Sequence, residues 1–500
     1  NGNGLADARA AEEADFSALR VGAEQVDDLN PGAQLLRLRR LLGKGRRLPL
    51  GMRDLGRQMK VSNFEHIIAV VALYRPGPME NIPIYLANLR GQAEIDYMHP
   101  KLRPFLEDTY GVMIYQEQVM RAAQVLSGYS LGSADLLRRA MGKKIQAEMD
   151  AQREAFVQGA KDTSGVSDAQ ANHIFDQIAK FAGYGFNKSH SAGYALIAYW
   201  TAWLKANYPL EFMAASMTLD LGNTDKLSVF KQDLDRMGVK LLPPDINKSQ
   251  PDFAVEGDGI RYALAALKGV GHEAMREIVK EREQNGPFKS LEDFASRLDP
   301  KLMNRRQFEQ LASAGGFDSL HPNRAQMAGS AELILRHAQA LQEERESGQV
   351  SLFGDSQGSG MGLPDLPKVP DWDPLEKLSH EFAAVGFYLS AHPLDSRQSQ
   401  FEKLRISSFA AMEADLQNKS AGSYQMAGVL LKKQEKISQK GSKYAFLQLS
   451  DPTGIYEVTL FSELLHATRE LLEPGRALLL SVDAEQREDQ IRMTAQKIQA

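Results

Sequence analysis

Four cations, Arg138, Arg139, Lys143 and Lys144, fall within seven residues of one stretch, Leu131–Lys144, which reads LGSADLLRRAMGKK. Ser133 reads as a helix N-cap, and Asp135 then sits in the first turn, where the helix dipole favours an acid. Gly142 can end the helix. A short helix would carry two adjacent arginines, and a glycine turn would carry two lysines. Such a fork of guanidinium and ammonium groups suits a triphosphate or a nucleic-acid backbone. The competing reading is a solvated cationic helix end, with Asp135 paired to Arg139 at i, i+4.

A second stretch, Gly183–His190, reads GYGFNKSH. Its glycines give a backbone turn, and Ser189 can cap a helix starting near Ser191. A helix N-terminus beside Lys188 and His190 is an anion site. Alternatively Ser189 only caps and His190 only packs. Tyr115–Gln118 places polar side chains inside an apolar helix, which predicts a buried hydrogen-bond network.

Further on, Lys268-Gly269-Val270-Gly271 lies between helical segments, with a helix expected from about His272 to Arg282. Gly-x-Gly at that place is a helix–hairpin–helix signature: the turn approaches a DNA phosphate, and the next helix offers its N–H groups. A second copy is read at Met303–Phe317, with Arg305 and Arg306 beside it. Two ordinary helix turns would give the same pattern. Gln349, Leu352 and Phe353 follow a charged helix, Ala331–Glu346, and fit a peptide that docks into an apolar pocket on a partner. They equally fit a loop anchored by its Leu and Phe.

The last hundred residues read as strands, QMAGVLLKKQEKIS, KYAFLQLSD, YEVTLF and ALLLSV, with DPTG as a turn. Such short strands suggest an OB-type barrel. Lys432, Lys433, Lys436, Lys440 and Lys443, with Tyr444 and Phe446, make a basic face with aromatics, suited to single-stranded template. A solvated hairpin over an aromatic core is the other reading.

These residues must be positioned by a chain of 500 residues, enough for about three or four domains. Apolar residues make up 43% and charged residues 25%, ordinary for globular protein. The net charge of −5 means that any nucleic-acid affinity comes from local basic patches. Cysteine is absent, which excludes disulfides, thiolate catalysis and Cys-ligated zinc and is compatible with a cytoplasmic location. No apolar run approaches the roughly 18 residues of a membrane span. The chain opens at Asn1 without a signal peptide and reads as a fragment.

From Gly51 the sequence gives a helical pattern with a cap at Ser62, an apolar run from Ile67 to Leu73, and a turn forced by Arg75-Pro-Gly-Pro-Met79. This segment resembles the fingers of bacterial DNA polymerase III alpha subunits, the C-family replicative polymerases. The likeness continues through TYGVMIYQEQVM, QVLSGYSLGSADLLRRAMGKK and KFAGYGFNKSHSAGYALIAYWTAWLKANYPLEFMAASMT. It runs from about Gly51 to the C-terminus and is strongest over Gly51–Pro244.

The resemblance implies a multi-domain, mainly α architecture with a C-terminal OB-fold barrel. Residues 1–50 fall outside the resemblance and are an atypical segment whose composition fits either loose order or an amphipathic helix in the leucine-rich Leu35–Leu50; residues 51–245 would be the fingers. Residues 246–355 would hold tandem hairpins and a clamp-binding peptide, 356–400 a linker and short helix, and 401–500 the OB domain. It implies triphosphate contacts from Arg138 and Arg139, with Lys143, Lys144, Lys188, Ser189 and His190 lining the nucleotide pocket. Hairpins that grip duplex without reading sequence are implied too, and a Gln-x-x-Leu-Phe peptide for the sliding clamp at Gln349, Leu352 and Phe353. The family extends primers with deoxynucleoside triphosphates and Mg²⁺, alongside other replicase subunits and no membrane.

Two-metal phosphoryl transfer needs carboxylates holding ions about 3.5–4 Å apart. The family's Asp-x-Asp pair and third Asp are not found in this chain. Asp233 and Asp235 sit at i, i+2 in a helical pattern and do not face each other; Asp371 and Asp373 lie in a Pro-rich linker. The expectation is nucleotide and DNA binding without a metal centre. A non-catalytic DNA- and clamp-binding fragment is the first rival. An unrelated helix–hairpin–helix repair enzyme is the second, and it requires a catalytic cluster near Gly269–Gly271 that the sequence lacks.

Overall fold

A computed structural model describes residues 50–75, 78–143, 146–182, 185–347, 362–416, 419–438, 441–487 and 490–499. The chain divides into two units, Asn1–Asn207 and Tyr208–Ala500.

The first unit is helical: α1 (Leu50–Met59), α2 (Phe64–Leu73), α3 (Ile82–Leu89), α4 (Gln116–Ser127), α5 (Leu131–Lys143), α6 (Gln146–Ser164), α7 (Asp168–Ala182) and α8 (Lys188–Asn207). It holds two cores. In one, the apolar run of α2 packs with Leu55, Tyr85, Leu86, Ile114 and Ala195. In the other, α4–α7 close over Leu126, Leu137, Phe156 and Phe175. Gly159 on α6 permits the close crossing with α4, because a Cβ there would stand 2.4 Å from the Ser127 carbonyl oxygen.

The helix starts correct three expected caps. Asn63, one residue after Ser62, accepts from the His66 N–H at 2.9 Å. Ser130, not Ser133, caps α5: its Oγ accepts from the Ser133 N–H at 3.1 Å. Asn187, not Ser189, caps α8, accepting from the His190 N–H at 2.8 Å. Gly142 lies within α5 rather than at its end.

The second unit begins with α9 (Pro209–Leu219) and α10 (Thr224–Met237). A small sheet follows, order β1 (Lys240–Leu242), β3 (Gly259–Arg261), β2 (Ala254–Glu256). Then come α11 (His272–Asn285), α12 (Leu291–Arg297), α13 (Arg305–Ser313), α14 (Arg324–Gly329) and α15 (Ala331–Ser347). A single apolar core runs through them from Met213 to Leu389. The short helix expected within 356–400 is α16 (Pro374–Val385); Asp373 caps it and Gly386, at φ 101°, stops it.

After α17 (Gln398–Lys403) and α18 (Phe409–Leu416), five strands form a closed barrel: β4 (Ala421–Ile437), β5 (Lys443–Asp451), β6 (Gly454–Leu460), β7 (Ala477–Arg487) and β8 (Gln490–Gln499), in the order β4-β5-β6-β8-β7. The helix α19 (Ser462–Ala467) joins β6 to β7. The sequence reading names four of these strands; the fifth, QIRMTAQKIQ, closes the barrel beside β7. No helix among the described residues is long and apolar enough to cross a membrane.

Candidate nucleotide and nucleic-acid interfaces

The predicted phosphate helix, α5, presents its arginines as a pair around one carboxylate. Asp135 Oδ1 accepts from Arg138 Nε at 2.9 Å and meets Arg138 Nη2 at 2.8 Å; Asp135 Oδ2 meets Arg139 Nε at 2.8 Å. Arg138 is half-buried and Arg139 is exposed. The hydrogen bond from Arg138 holds the Asp135 carboxyl below the usual carboxylate range. The Asp135–Arg139 pair of the competing reading is therefore present, and Arg138 shares it. The side chain of Lys143, and Lys144 altogether, lie outside the described residues.

Arg138 also reaches α4: its Nη1 donates to Gln116 Oε1 at 3.5 Å. Gln116 Nε2 donates onward to the Gly185 carbonyl at 2.9 Å, and the Gln116 N–H to the Phe186 carbonyl at 2.9 Å. A parallel bridge pairs Tyr115 with Phe186. The two predicted stretches, 131–144 and 183–190, thus meet through Gln116, a residue the sequence reading treats only as part of a buried network. No local pattern reports a contact across 69 positions.

The N-terminus of α8 already holds an anion, the carboxylate of Glu117. Glu117 Oε2 accepts the Lys188 N–H at 2.9 Å, and Glu117 Oε1 accepts Asn187 Nδ2 at 2.7 Å. Lys188 Nζ turns to Glu65 Oε2 at 3.0 Å and Asp108 Oδ2 at 3.8 Å. Ser189 is exposed. The His190 ring stands edge-on to Phe186 and Tyr194, with centroids 5.4 and 4.8 Å away. The Arg75 guanidinium also packs on Phe186, 4.0 Å from the ring centroid, and burial lowers its pKa. The sequence reading assigns Arg75 only to a turn.

Gln118 fills the expected buried network. Its Oε1 accepts the Ile114 and Tyr115 N–H groups at 2.8 and 3.0 Å, and its Nε2 donates to the Phe105 carbonyl and Thr109 Oγ1 at 3.1 and 2.7 Å.

In the second unit, Gly269 takes φ +75° and Gly271 caps α11. Val270 is buried and anchors the turn. A Cβ on Gly269 would stand 3.6 Å from Arg306 Nε, and one on Gly271 would stand 3.6 Å from Gln307 Nε2. The start of α13 therefore lies against the glycine hairpin. The adjacent arginines diverge. Arg305 Nε donates to Glu309 at 2.7 Å and its Nη1 to Glu332 at 3.4 Å. Arg306 is exposed and makes no hydrogen bond or ion pair among the described residues. Lys268 Nζ lies 5.8 Å from the Phe382 ring centroid, and burial lowers its pKa against the pull of Asp225.

On the barrel, a bulge between Leu430 and Lys432 sets the phase of the basic strand. Side chains alternate across a strand, so Lys432 and Lys433 take opposite faces. Lys432, Gln434 and Lys436 pair with Gln448, Phe446 and Tyr444 and share one face, with Lys436 Nζ 4.9 Å from the Phe446 ring centroid. Lys433, beside Glu435 at 3.7 Å, takes the other face with Lys443. Lys440, Gln349, Leu352 and Phe353 lie outside the described residues.

Among the described residues, no group of three or more His, Asp or Glu side chains could hold a metal ion. Asp235 pairs with Lys231 at 2.7 Å and Asp233 with Arg236 at 3.5 Å. Asp371 pairs with Lys377, and Asp373 caps α16.

Hairpin and barrel are those of nucleic-acid-binding proteins. Residues 238–327 match a family model described as a helix-hairpin-helix motif, and residues 424–500 match one described as an OB-fold nucleic acid binding domain. Residues 50–164 match the bacterial DNA polymerase III alpha subunit finger domain. Over most of its length the chain is similar to bacterial DNA polymerase III alpha subunits. It is 49% identical over 442 residues to DNA polymerase III subunit alpha of Caulobacter vibrioides, covering 88% of this chain and 38% of that protein. The Rickettsia conorii protein of the same name is 40% identical over 484 residues, 89% of this chain and 40% of the relative. The chain thus spans about two fifths of the length of these relatives.

Proposed function

We propose that this chain supplies the nucleotide- and DNA-gripping part of a DNA-directed DNA polymerase that extends a primer on a template from deoxynucleoside triphosphates. The observation that carries this is the placement of Arg306. Its guanidinium stands beside the hairpin glycine whose conformation opens the N-terminus of α11, and it is free of protein anions among the described residues. A phosphate there meets backbone N–H groups and a guanidinium together, and neither reads sequence. The strip of exposed Lys432 and Lys436 with half-buried Tyr444 and Phe446 is assigned the single-stranded template. Arg138 and Arg139, with Lys143, Lys144, Lys188, Ser189 and His190 nearby, are assigned the incoming triphosphate. There cations offset phosphate charge and align the reacting phosphorus.

The described residues do not fit Mg²⁺, so no step through the metal is assigned to this chain. That donor set favours a second reading, in which the chain binds DNA and the sliding clamp without polymerising alone. Clamp binding rests on Gln349, Leu352 and Phe353, other replicase subunits are further partners of the whole protein, and the setting is the cytoplasm. Primer extension by the purified chain with Mg²⁺ and four nucleotides, run beside nucleotide and duplex binding, separates the readings. Nucleotide and duplex binding without extension supports the first; duplex binding without nucleotide binding supports the second; extension would contradict both, because it needs metal-binding carboxylates that neither reading places in this chain. A chain that binds neither ligand also contradicts both. Replacing Leu352 and Phe353 with Ala should abolish capture by the clamp, and unchanged capture would remove the peptide from the account.

A further inference from the structure

Asp135 meets both arginines assigned to the triphosphate, and only along their inner edges. Oδ1 takes Nε and Nη2 of Arg138, and Oδ2 takes Nε of Arg139. The Arg139 Nη groups engage none of the described residues, and the Arg138 Nη1 contact with Gln116 is long at 3.5 Å. A guanidinium that gives one edge to a carboxylate still has a second edge for a phosphate. Residues three and four apart on a helix are neighbours, so Asp135 reaches both arginines, and their shared carboxylate brings two like charges to one place. A carboxylate between them removes the repulsion that would splay them, and the three side chains together keep a net charge of +1.

We infer that Asp135 is a positioning residue for the triphosphate: it binds the inner edges of Arg138 and Arg139 and aims their outer edges at one polyphosphate. This rests on the assignment of those arginines to the nucleotide. Gln116 extends the arrangement, tying Arg138 to the Gly185–Phe186 backbone. The alternative role for the same carboxylate is competition, in which it occupies the arginines and the nucleotide must displace it. The two roles predict opposite signs.

The test is equilibrium binding of dTTP and dTMP to this chain with primer–template present, for the wild type, Asp135→Asn, the double variant Arg138→Ala/Arg139→Ala, and the triple variant. Asp135→Asn keeps the side-chain shape, and its Tm checks that it folds. Positioning predicts that Asp135→Asn weakens dTTP about tenfold, the loss of roughly one charge-assisted hydrogen bond. It leaves dTMP within about twofold, because fewer phosphates reach the arginines. Without the arginines, Asp135→Asn should have no further effect, and Asp135→Glu should recover part of the affinity. Tighter dTTP binding by Asp135→Asn, unchanged binding, or a loss that persists in the arginine-free background would overturn the inference. A wild-type chain that binds no dTTP would overturn the triphosphate assignment itself, whereas dTTP binding indifferent to Asp135 would overturn only the positioning role.

Discussion

Arg306 and Gly269 are neighbours in space and 37 positions apart in sequence: a Cβ on the glycine would stand 3.6 Å from the arginine Nε. That distance is ordinary van der Waals contact, so space permits a methyl group there. The backbone resists it, because φ at Gly269 is +75° and a side chain in the left-handed region is strained. Gly269→Ala should therefore cost about 1 kcal/mol of stability, seen as a lower urea midpoint. It should also weaken duplex binding by shifting the turn. An unchanged midpoint together with unchanged affinity would contradict this reading of the hairpin.

Gln118 is buried and satisfies two backbone N–H groups, a carbonyl and a hydroxyl. Gln118→Leu keeps the bulk and strands these partners. The expected cost is roughly 2–5 kcal/mol, read as a fall in Tm. A change within about 0.5 kcal/mol would show that the start of α4 rearranges to find new partners.

His392 gives the second unit an acid-sensitive point. Burial pushes its imidazole down to about 4, against the pull of Asp395. Its Nδ1 accepts the Leu394 N–H at 3.2 Å, and its Nε2 lies 3.0 Å from Ser450 Oγ. In the unfolded chain the ordinary value is about 6.5. Between those values the unfolded chain takes up a proton that the fold refuses. This stability is complete above about pH 6.5 and is lost as pH falls towards 4, up to ~3 kcal/mol. Urea midpoints across that window should fall less steeply for His392→Asn than for the wild type. Parallel slopes would remove His392 from the acid response.

Much of this arrangement is legible in the sequence. The arginine helix beginning at Leu131, the helix after the glycine pair 269–271 and the strand KYAFLQLSD carry strong local signals and are present, although Gly142 continues the first helix instead of ending it. Caps are less legible where several capping residues stand together. Ser62 and Asn63, and Asn187 and Ser189, compete within three positions, and the start of the helix decides between them. The strand Gln490–Gln499 carries the alternation of a half-buried strand at Ile491, Met493 and Ala495, but the pattern is short, shifts before Ile498 and sits among polar residues. The Leu430/Lys432 bulge sets which lysines share a face, and no residue type announces it. The links of Gln116 to Arg138 and Gly185, and of Glu117 to the start of α8, are tertiary. Glu117 supplies the anion at a helix N-terminus that the sequence alone presents as open.

The central claim is that this chain grips DNA through phosphate contacts at the hairpin, and salt dependence tests it most directly. Affinity for a primer–template duplex should be measured between low and moderate salt for the wild type and Arg306→Ala. Log affinity should fall linearly with log salt, and Arg306→Ala should lower affinity and reduce the slope by about 0.9, one phosphate contact. A salt-independent affinity, or identical slopes and affinities for the two proteins, would contradict the account.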